Sequence, residues 1–203
     1  MGSGRRDLQG VTTVTAEVTY RDGAEELENI AIDHRPAKSI PPQFGLWSEG
    51  EFSPLLLTVL KPENHPQLSF HREENLEGTP ALVFDYRISK QDNAGWGWKL
   101  GEKVFQPGFH GRIWIEKTTG RLLRLTRDAR SSLQEIDSSV PYVVVVSDTW
   151  YSEVEISGLG KFFLPVRSEL VSCQQGKRTC NHNILTFRSC RKFAAKSRIL
   201  DSP

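Results

Sequence analysis

Apolar residues recur at every second position wherever this chain shows a pattern, and a period of two puts them on one side of a β-strand, never on one side of a helix. Val14, Ala16, Val18 and Tyr20 alternate with Thr13, Thr15, Glu17 and Thr19, and Leu82, Phe84, Tyr86 and Ile88 alternate with Val83, Asp85 and Arg87. Trp150, Ser152, Val154 and Ile156 read as another inward row, which Ser157-Gly158-Leu159-Gly160 turns into Phe162, Leu164, Val166, Ser168 and Leu170. Arg21-Asp22-Gly23 reads as a turn leading back into Glu25 to Ile32. The clearest hairpin runs from Ile113 to Lys117, through Thr118-Thr119-Gly120, and out along Arg121 to Arg130. About nine or ten strands with hairpin connections call for an antiparallel sheet that curls or closes around an apolar interior.

Ser53-Pro54-Leu55-Leu56-Leu57-Thr58-Val59-Leu60 departs from the alternation. An N-cap residue, a proline at the first helical position and Pro62 beyond the end predict a short helix, with a buried strand as the competing reading. Because the segment is apolar almost all round, the helix is expected to be enclosed on most sides, in the concavity of the sheet or plugging one end. There is no internal repeat, and the loop around Gln91 to Gly97 is too short for a linker, so residues 11–200 read as one domain. Residues 1–10 read as a flexible or vector-derived leader: they lack the apolar stretch of a signal peptide, and Gly2-Ser3-Gly4 resembles a cloning scar ahead of a domain cut from an exported precursor. A cytosolic chain fits the same terminus.

Lys and Arg number 26 against 25 for Asp and Glu, so a net charge of +1 argues against nucleic acid as a partner. With 37% hydrophobic residues the chain is too apolar for disorder, and its longest aliphatic run, Val143 to Val146, is too short to cross a bilayer.

Cys173 and Cys180 bracket a polar, glycine-containing segment suited to a hairpin tip, and cysteines facing each other across such a ladder lie within disulfide range. Paired, they imply an oxidising compartment; two free thiols are the alternative. Cys190 reads as a small buried hydrophobe. Cys173, Cys180, His182 and Cys190 could nominally supply four metal ligands, but their spacing matches no zinc ribbon or finger, and no metal or other cofactor is expected. Nucleophile elbow, zinc-protease, Walker and dinucleotide motifs are all missing from the sequence, which leaves no catalytic residue to name. Arg121, Arg124, Arg127 and Arg130 would form a stripe on a helix; a strand divides them between two faces, most of them solvated. Trp96, Trp98, Phe105, Phe109 and Trp114 concentrate aromatic surface beside several glycines. They are the ligand-binding candidates, as the wall or gate of an apolar cleft, and ordinary core packing is the alternative.

The stretch Gly111-Arg112-Ile113-Trp114-Ile115-Glu116-Lys117-Thr118-Thr119-Gly120-Arg121-Leu122-Leu123-Arg124 resembles the strand-turn-strand of the lipoprotein-carrier-like superfamily of bacterial envelope proteins, the LolA, LolB and RseB type. The whole chain is more closely similar to uncharacterised secreted bacterial proteins with comparable stretches at Val14 to Gly23, Trp47 to Phe52 and Phe162 to Cys180. The resemblance implies a mainly β fold in which one curved antiparallel sheet forms an unclosed β-barrel with a short helix in or across its concavity, and an apolar cavity that receives acyl chains. The cysteine hairpin departs from the carriers. The function expected is that of a non-enzymatic periplasmic or secreted domain binding an apolar or acylated ligand. A module with a solid core that docks another envelope protein is the second expectation, and an unrecognised enzyme the third.

Overall fold

Alternation becomes strand almost throughout. The computed structural model describes residues 10–21, 24–40, 54–93, 96–100, 103–131, 143–174 and 180–192, and among these it forms twelve strands, one α-helix and a single 3-10 turn. The chain divides into two compact units, residues 1–44 and 45–203. In the first, β1 (Val14–Arg21), β2 (Ala24–Ile32) and β3 (Arg35–Pro36) make an antiparallel sheet in that order. Arg21 stands opposite Ala24, so the connection falls at the Asp22-Gly23 turn marked in the sequence; those two residues lie outside the described ones, as do residues 1–9 of the leader. Asp33 and His34 take φ of 46° and 66° in the tight β2–β3 turn, and Asp33 is tied back to Thr13 by two hydrogen bonds of 2.8 and 2.9 Å.

The second unit contains α1 (Pro54–Leu60), β4 (Gln67–Leu76), β5 (Thr79–Ile88), β6 (Trp98–Leu100), β7 (Lys103–Phe105), β8 (Phe109–Glu116), β9 (Leu122–Ser131), β10 (Val143–Ile156), β11 (Gly160–Gln174) and β12 (Cys180–Thr186). Seven of these strands form one antiparallel sheet in the order β12-β11-β10-β9-β8-β5-β4, which does not close, while β6 and β7 pair with each other. The mainly β, unclosed, helix-poor architecture expected from the sequence is therefore present, with its strands distributed over three sheets. Pro54 opens α1 as anticipated; Ser53, the expected cap, lies outside the described residues, as does the stretch 47–52. The helix is less enclosed than its composition suggested: Thr58 and Val59 are buried, whereas Leu57 and Leu60 are exposed.

One face of the large sheet carries the core. Tyr86, Ile88, Phe109, Ile113, Leu125, Ala129, Val145, Tyr151 and Leu170 pack there with Val59 from α1. Each fully buried aliphatic side chain contributes about 1.5–3 kcal/mol. The opposite face has a smaller cluster of Ala81, Val83 and Trp114, flanked by Leu76 and Leu123.

Three irregularities decide which side chains go to which face. Trp114 pairs with Arg124 but Ile115 with Leu122, so Leu123 is an extra residue on β9; Leu122 packs on the core and Leu123 joins Trp114 on the other side. Trp150 pairs with Arg167 but Tyr151 with Pro165, which leaves Val166 extra on β11. On β11 the shift turns Phe163, not the exposed Phe162, onto the core, while on β10, which alternates without interruption, the supposed inward row of Trp150, Ser152, Val154 and Ile156 is on the face away from the buried Tyr151. A third shift makes His71 the extra residue on β4.

Gly111 marks the tightest approach in the sheet. A Cβ there would lie 1.9 Å from the Thr126 carbonyl oxygen and 2.9 Å from Cε1 of Tyr86, because the phenol of Tyr86, directly opposite Gly111 in register, passes over it to donate to that same carbonyl at 2.7 Å. At the other end, Cys173 and Cys180 face each other across β11 and β12 with Cα atoms 4.3 Å apart and form the expected disulfide. Two outcomes are expected from these contacts. Gly111→Ala should cost at least about 3 kcal/mol in urea unfolding, since neither a backbone carbonyl nor a hydrogen-bonded ring can yield enough. Reducing the disulfide should cost about 2.5 kcal/mol from the short loop it closes, read as a lower urea midpoint in dithiothreitol.

Candidate functional site

On the core face the loop between β5 and β8 is organised by one buried amide. Asn93 Nδ2 donates to the carbonyl oxygens of Trp96 at 2.6 Å and Pro107 at 2.7 Å, and its Oδ1 accepts from the Trp96 amide at 3.0 Å. This fixes Trp96 so that its indole meets Phe109 edge-on at 5.3 Å and lies over the guanidinium of Arg127 at 3.9 Å. Phe109 in turn meets Tyr86 edge-on at 6.1 Å. The turn after α1 reaches the same loop: Asn64 Nδ2 donates to the Thr58 carbonyl at 2.6 Å, and His65 Nδ1 lies 3.1 Å from Asp92 Oδ1, whose carboxylate also accepts from the Ser89 hydroxyl.

Arg127 is the unexpected member. It is 2% exposed, in a row whose neighbours Leu125 and Ala129 are fully buried, and it stands directly opposite Ser147 of β10. Ser147 is 1% exposed, and its Oγ has no hydrogen-bond partner among the described residues. Beside it Thr149 and Ser168 share a hydrogen bond of 3.0 Å across β10 and β11. Burial pushes the Tyr86 phenol upward, and the charge of Arg127 acts against that push.

The five aromatic candidates do not form one wall. Trp96 and Phe109 come together on the core face. Trp98 and Phe105 are partners in the β6–β7 register, but their side chains lie outside the described residues. Trp114 is buried on the opposite face, where its Nε1 donates to Glu74 Oε1 at 3.2 Å. That face carries a ladder that the sequence reading missed: Trp114, Arg124, Trp150 and Arg167 are successive cross-strand partners, and their rings and guanidinium groups stack at 4.7, 5.2 and 5.4 Å. Arg124 donates from Nε to Asp148 at 2.8 Å and Arg167 is paired with Glu169, so these cations are neutralised within the ladder; the Asp148 hydrogen bond holds the Arg124 pKa up. The division of the arginines between two faces agrees with expectation, but Arg127 occupies the core where a solvated position was the default. Leu125 and Ala129, two residues away on either side, were the available signal.

No protein-family model, curated protein or solved structure matches this chain. What the site can do therefore rests on its own chemistry. His71 Nδ1 lies 2.8 Å from Asp85, which Arg112 Nε also holds at 2.9 Å, and in the Ser89–Asp92–His65 group the acid, not the imidazole, is in the middle. A histidine placed between an acid and a nucleophile occurs in neither group. No group of three or more potential metal ligands occurs among the described residues.

The ion pairs nevertheless set the acid response. Hydrogen bonds from Arg112 to Asp85, Arg72 to Glu74, Ser89 to Asp92 and Lys161 to Glu153 are the largest influences that lower the pKa of each carboxyl. A depressed folded-state pKa contributes stability above the unfolded value and loses it as pH falls through the folded one. Stability is expected to be flat between about pH 7 and 5 and to drop below about pH 4. Asp85→Asn should make that acid limb shallower in urea unfolding at stepped pH.

Proposed function

We propose that this chain is a non-enzymatic extracytoplasmic domain that binds an apolar or acylated ligand against the core face of its main sheet. The observation that carries this reading is the apolar surface left exposed on β4 and α1. Leu57 and Leu60 on α1 are 42% and 48% exposed, and Leu68 and Phe70 on β4 are 50% and 58% exposed. Leu68 is directly opposite the buried Tyr86, which packs in one cluster with Val59 of α1, and the Phe70 ring meets Phe84 edge-on at 5.8 Å. Large apolar side chains left exposed on these two elements are costly in water unless something covers them. The Cys173–Cys180 disulfide supports an oxidising compartment, periplasmic or secreted, and no helix among the described residues is long and apolar enough to cross a membrane.

One observation favours a second reading, docking of another envelope protein. β4 is an edge strand of ten residues whose outer side pairs with no strand among the described residues, an arrangement open to strand addition. The two readings separate experimentally. Native mass spectrometry of purified protein is expected to show lipid-mass adducts, and delipidated protein is expected to change its tryptophan fluorescence on titration with fatty acids. Leu60→Glu with Phe70→Glu, both exposed and expected to cost little stability, should weaken that response at least ten-fold. Absence of adducts together with silent fluorescence in correctly folded, disulfide-bonded protein overturns ligand binding and leaves the β4 edge.

A further inference from the structure

We infer that two copies of this chain associate edge to edge through β4, pairing Gln67–His71 antiparallel about a two-fold axis at Ser69 so that Leu68 of each copy packs beside Phe70 of the other. The association does not require a bound ligand, and it gives the open β4 edge a definite occupant.

The edge is guarded in one half only. Beyond the extra residue His71, Arg72, Glu73 and Glu74 carry the charges that keep a strand edge from pairing, and before Gln67 stands Pro66, which has no N–H to offer a ladder. Between these limits Gln67-Leu68-Ser69-Phe70 has no charge, and its two large apolar side chains are 50% and 58% exposed. The strand is held extended by β5, from Gln67 opposite Arg87 to Leu76 opposite Thr79, so a second copy offers the same segment already ordered. A free peptide taking that place must lose backbone entropy worth about 1–2 kcal/mol for each residue fixed, and a folded copy need not.

The register follows from charge and face. A two-fold axis normal to the sheet sets residues of the same side opposite each other, and like charges placed so are destabilising. An axis at Arg72, Glu73 or Glu74 would set a charge against itself. At Phe70 or His71 it would set Leu68 or Phe70, respectively, against Arg72, and at Gln67 or Leu68 it would set one of the two apolar side chains against Pro66. At Ser69 the serines meet, Gln67 meets His71, and both Leu68–Phe70 pairs form on the side where Leu68 is opposite Tyr86 and Phe70 opposite Phe84. The apolar side chains of the two copies then adjoin along the core face, with their outer surfaces still open to a ligand. A contact of this length is small beside the roughly 1,200 Å² of a stable interface, so dissociation is expected on the order of 100 micromolar.

The test is analytical ultracentrifugation of the full, disulfide-bonded chain from about 5 to 500 micromolar in dilute salt. The unmodified protein is expected to rise from the monomer mass toward twice that mass, and amide hydrogen exchange at Gln67–Phe70 to slow at the upper end, a reading that needs no variant. Leu68→Lys with Phe70→Lys sets lysine against lysine twice and should weaken association at least ten-fold. Leu68→Lys with Phe70→Glu sets lysine against glutamate twice and should associate at least three-fold more tightly than the double-lysine variant, a difference that salt at about 0.5 M removes. A monomer throughout the range, unslowed exchange, or association in which the two variants are alike overturns the inference. Fatty-acid titration of the same samples is read separately: a fluorescence response from protein that stays monomeric overturns the self-association and leaves ligand binding, and dimerisation of protein silent to fatty acid does the reverse.

Discussion

The large sheet depends on how closely β5, β8 and β9 approach at Gly111. A carbonyl of β9 stands where any side chain on β8 would begin, and a phenol from β5 crosses the same spot to hydrogen-bond that carbonyl. The contact ties three neighbouring strands at one point, and it works only because the middle strand has no side chain there. It also sets the depth of the core face on either side. Tyr86 is drawn down across the sheet, Phe109 closes against its ring, and Trp96 closes against Phe109, so the aromatic cluster is built outward from a glycine.

The two faces of this sheet use aromatic rings for different purposes. On the core face they exclude water: Tyr86, Phe109 and Trp96 meet edge to face and bury one cation beneath them. On the opposite face Trp114 and Trp150 alternate with Arg124 and Arg167, one residue per strand, and carboxylates at Glu74, Asp148 and Glu169 complete the row. Half-exposed ion pairs alone contribute little, about 0–1 kcal/mol each. Stacked between indoles in strict register they also specify pairing, since slipping one strand by a single residue would send its member of the ladder to the core side and break the row. The disulfide does the same at the β11–β12 end, and together these constraints hold the order of five consecutive strands.

The class of fold was legible in the sequence because alternation needs no knowledge of partners. The β8–β9 hairpin, the helix opening at Pro54 and the Cys173–Cys180 pair were all readable from local pattern. Sidedness was not, and the reason is specific. Leu123 and Val166 are each one residue too many for their ladders, and strict counting through an extra residue assigns the wrong face to every position beyond it. That is why Phe162 reads as core when Phe163 is; Trp150 reads as inward on its apolar side chain alone, although the unbroken alternation of β10 buries Val145, Ser147, Thr149 and Tyr151 instead. The aromatic grouping fails for a related cause: Trp114 and Phe109 are five residues apart on one strand, an odd separation that puts them on opposite faces. Proximity in sequence brings them together on paper, and the pleat separates them.

Arg127 tests how far such reasoning extends. The alternation that places Leu125 and Ala129 in the core places Arg127 there too, so its burial obeys the same rule that identified the strand; what local pattern cannot supply is a reason for the charge. Beyond it the buried face is polar beyond the needs of packing, with Ser147 and Thr149 on the neighbouring β10 and Ser168 on β11, where valine would fill similar volume. The Thr149 and Ser168 hydroxyls satisfy each other and are nearly neutral in cost. Ser147, directly opposite Arg127 in register, has a buried hydroxyl with no hydrogen-bond partner among the described residues, and departures from local consistency in an otherwise consistent sheet concentrate where a chain does something besides fold. The exposed Leu68 and Phe70 of β4 are the second such departure, and they lie on the same face of the same sheet.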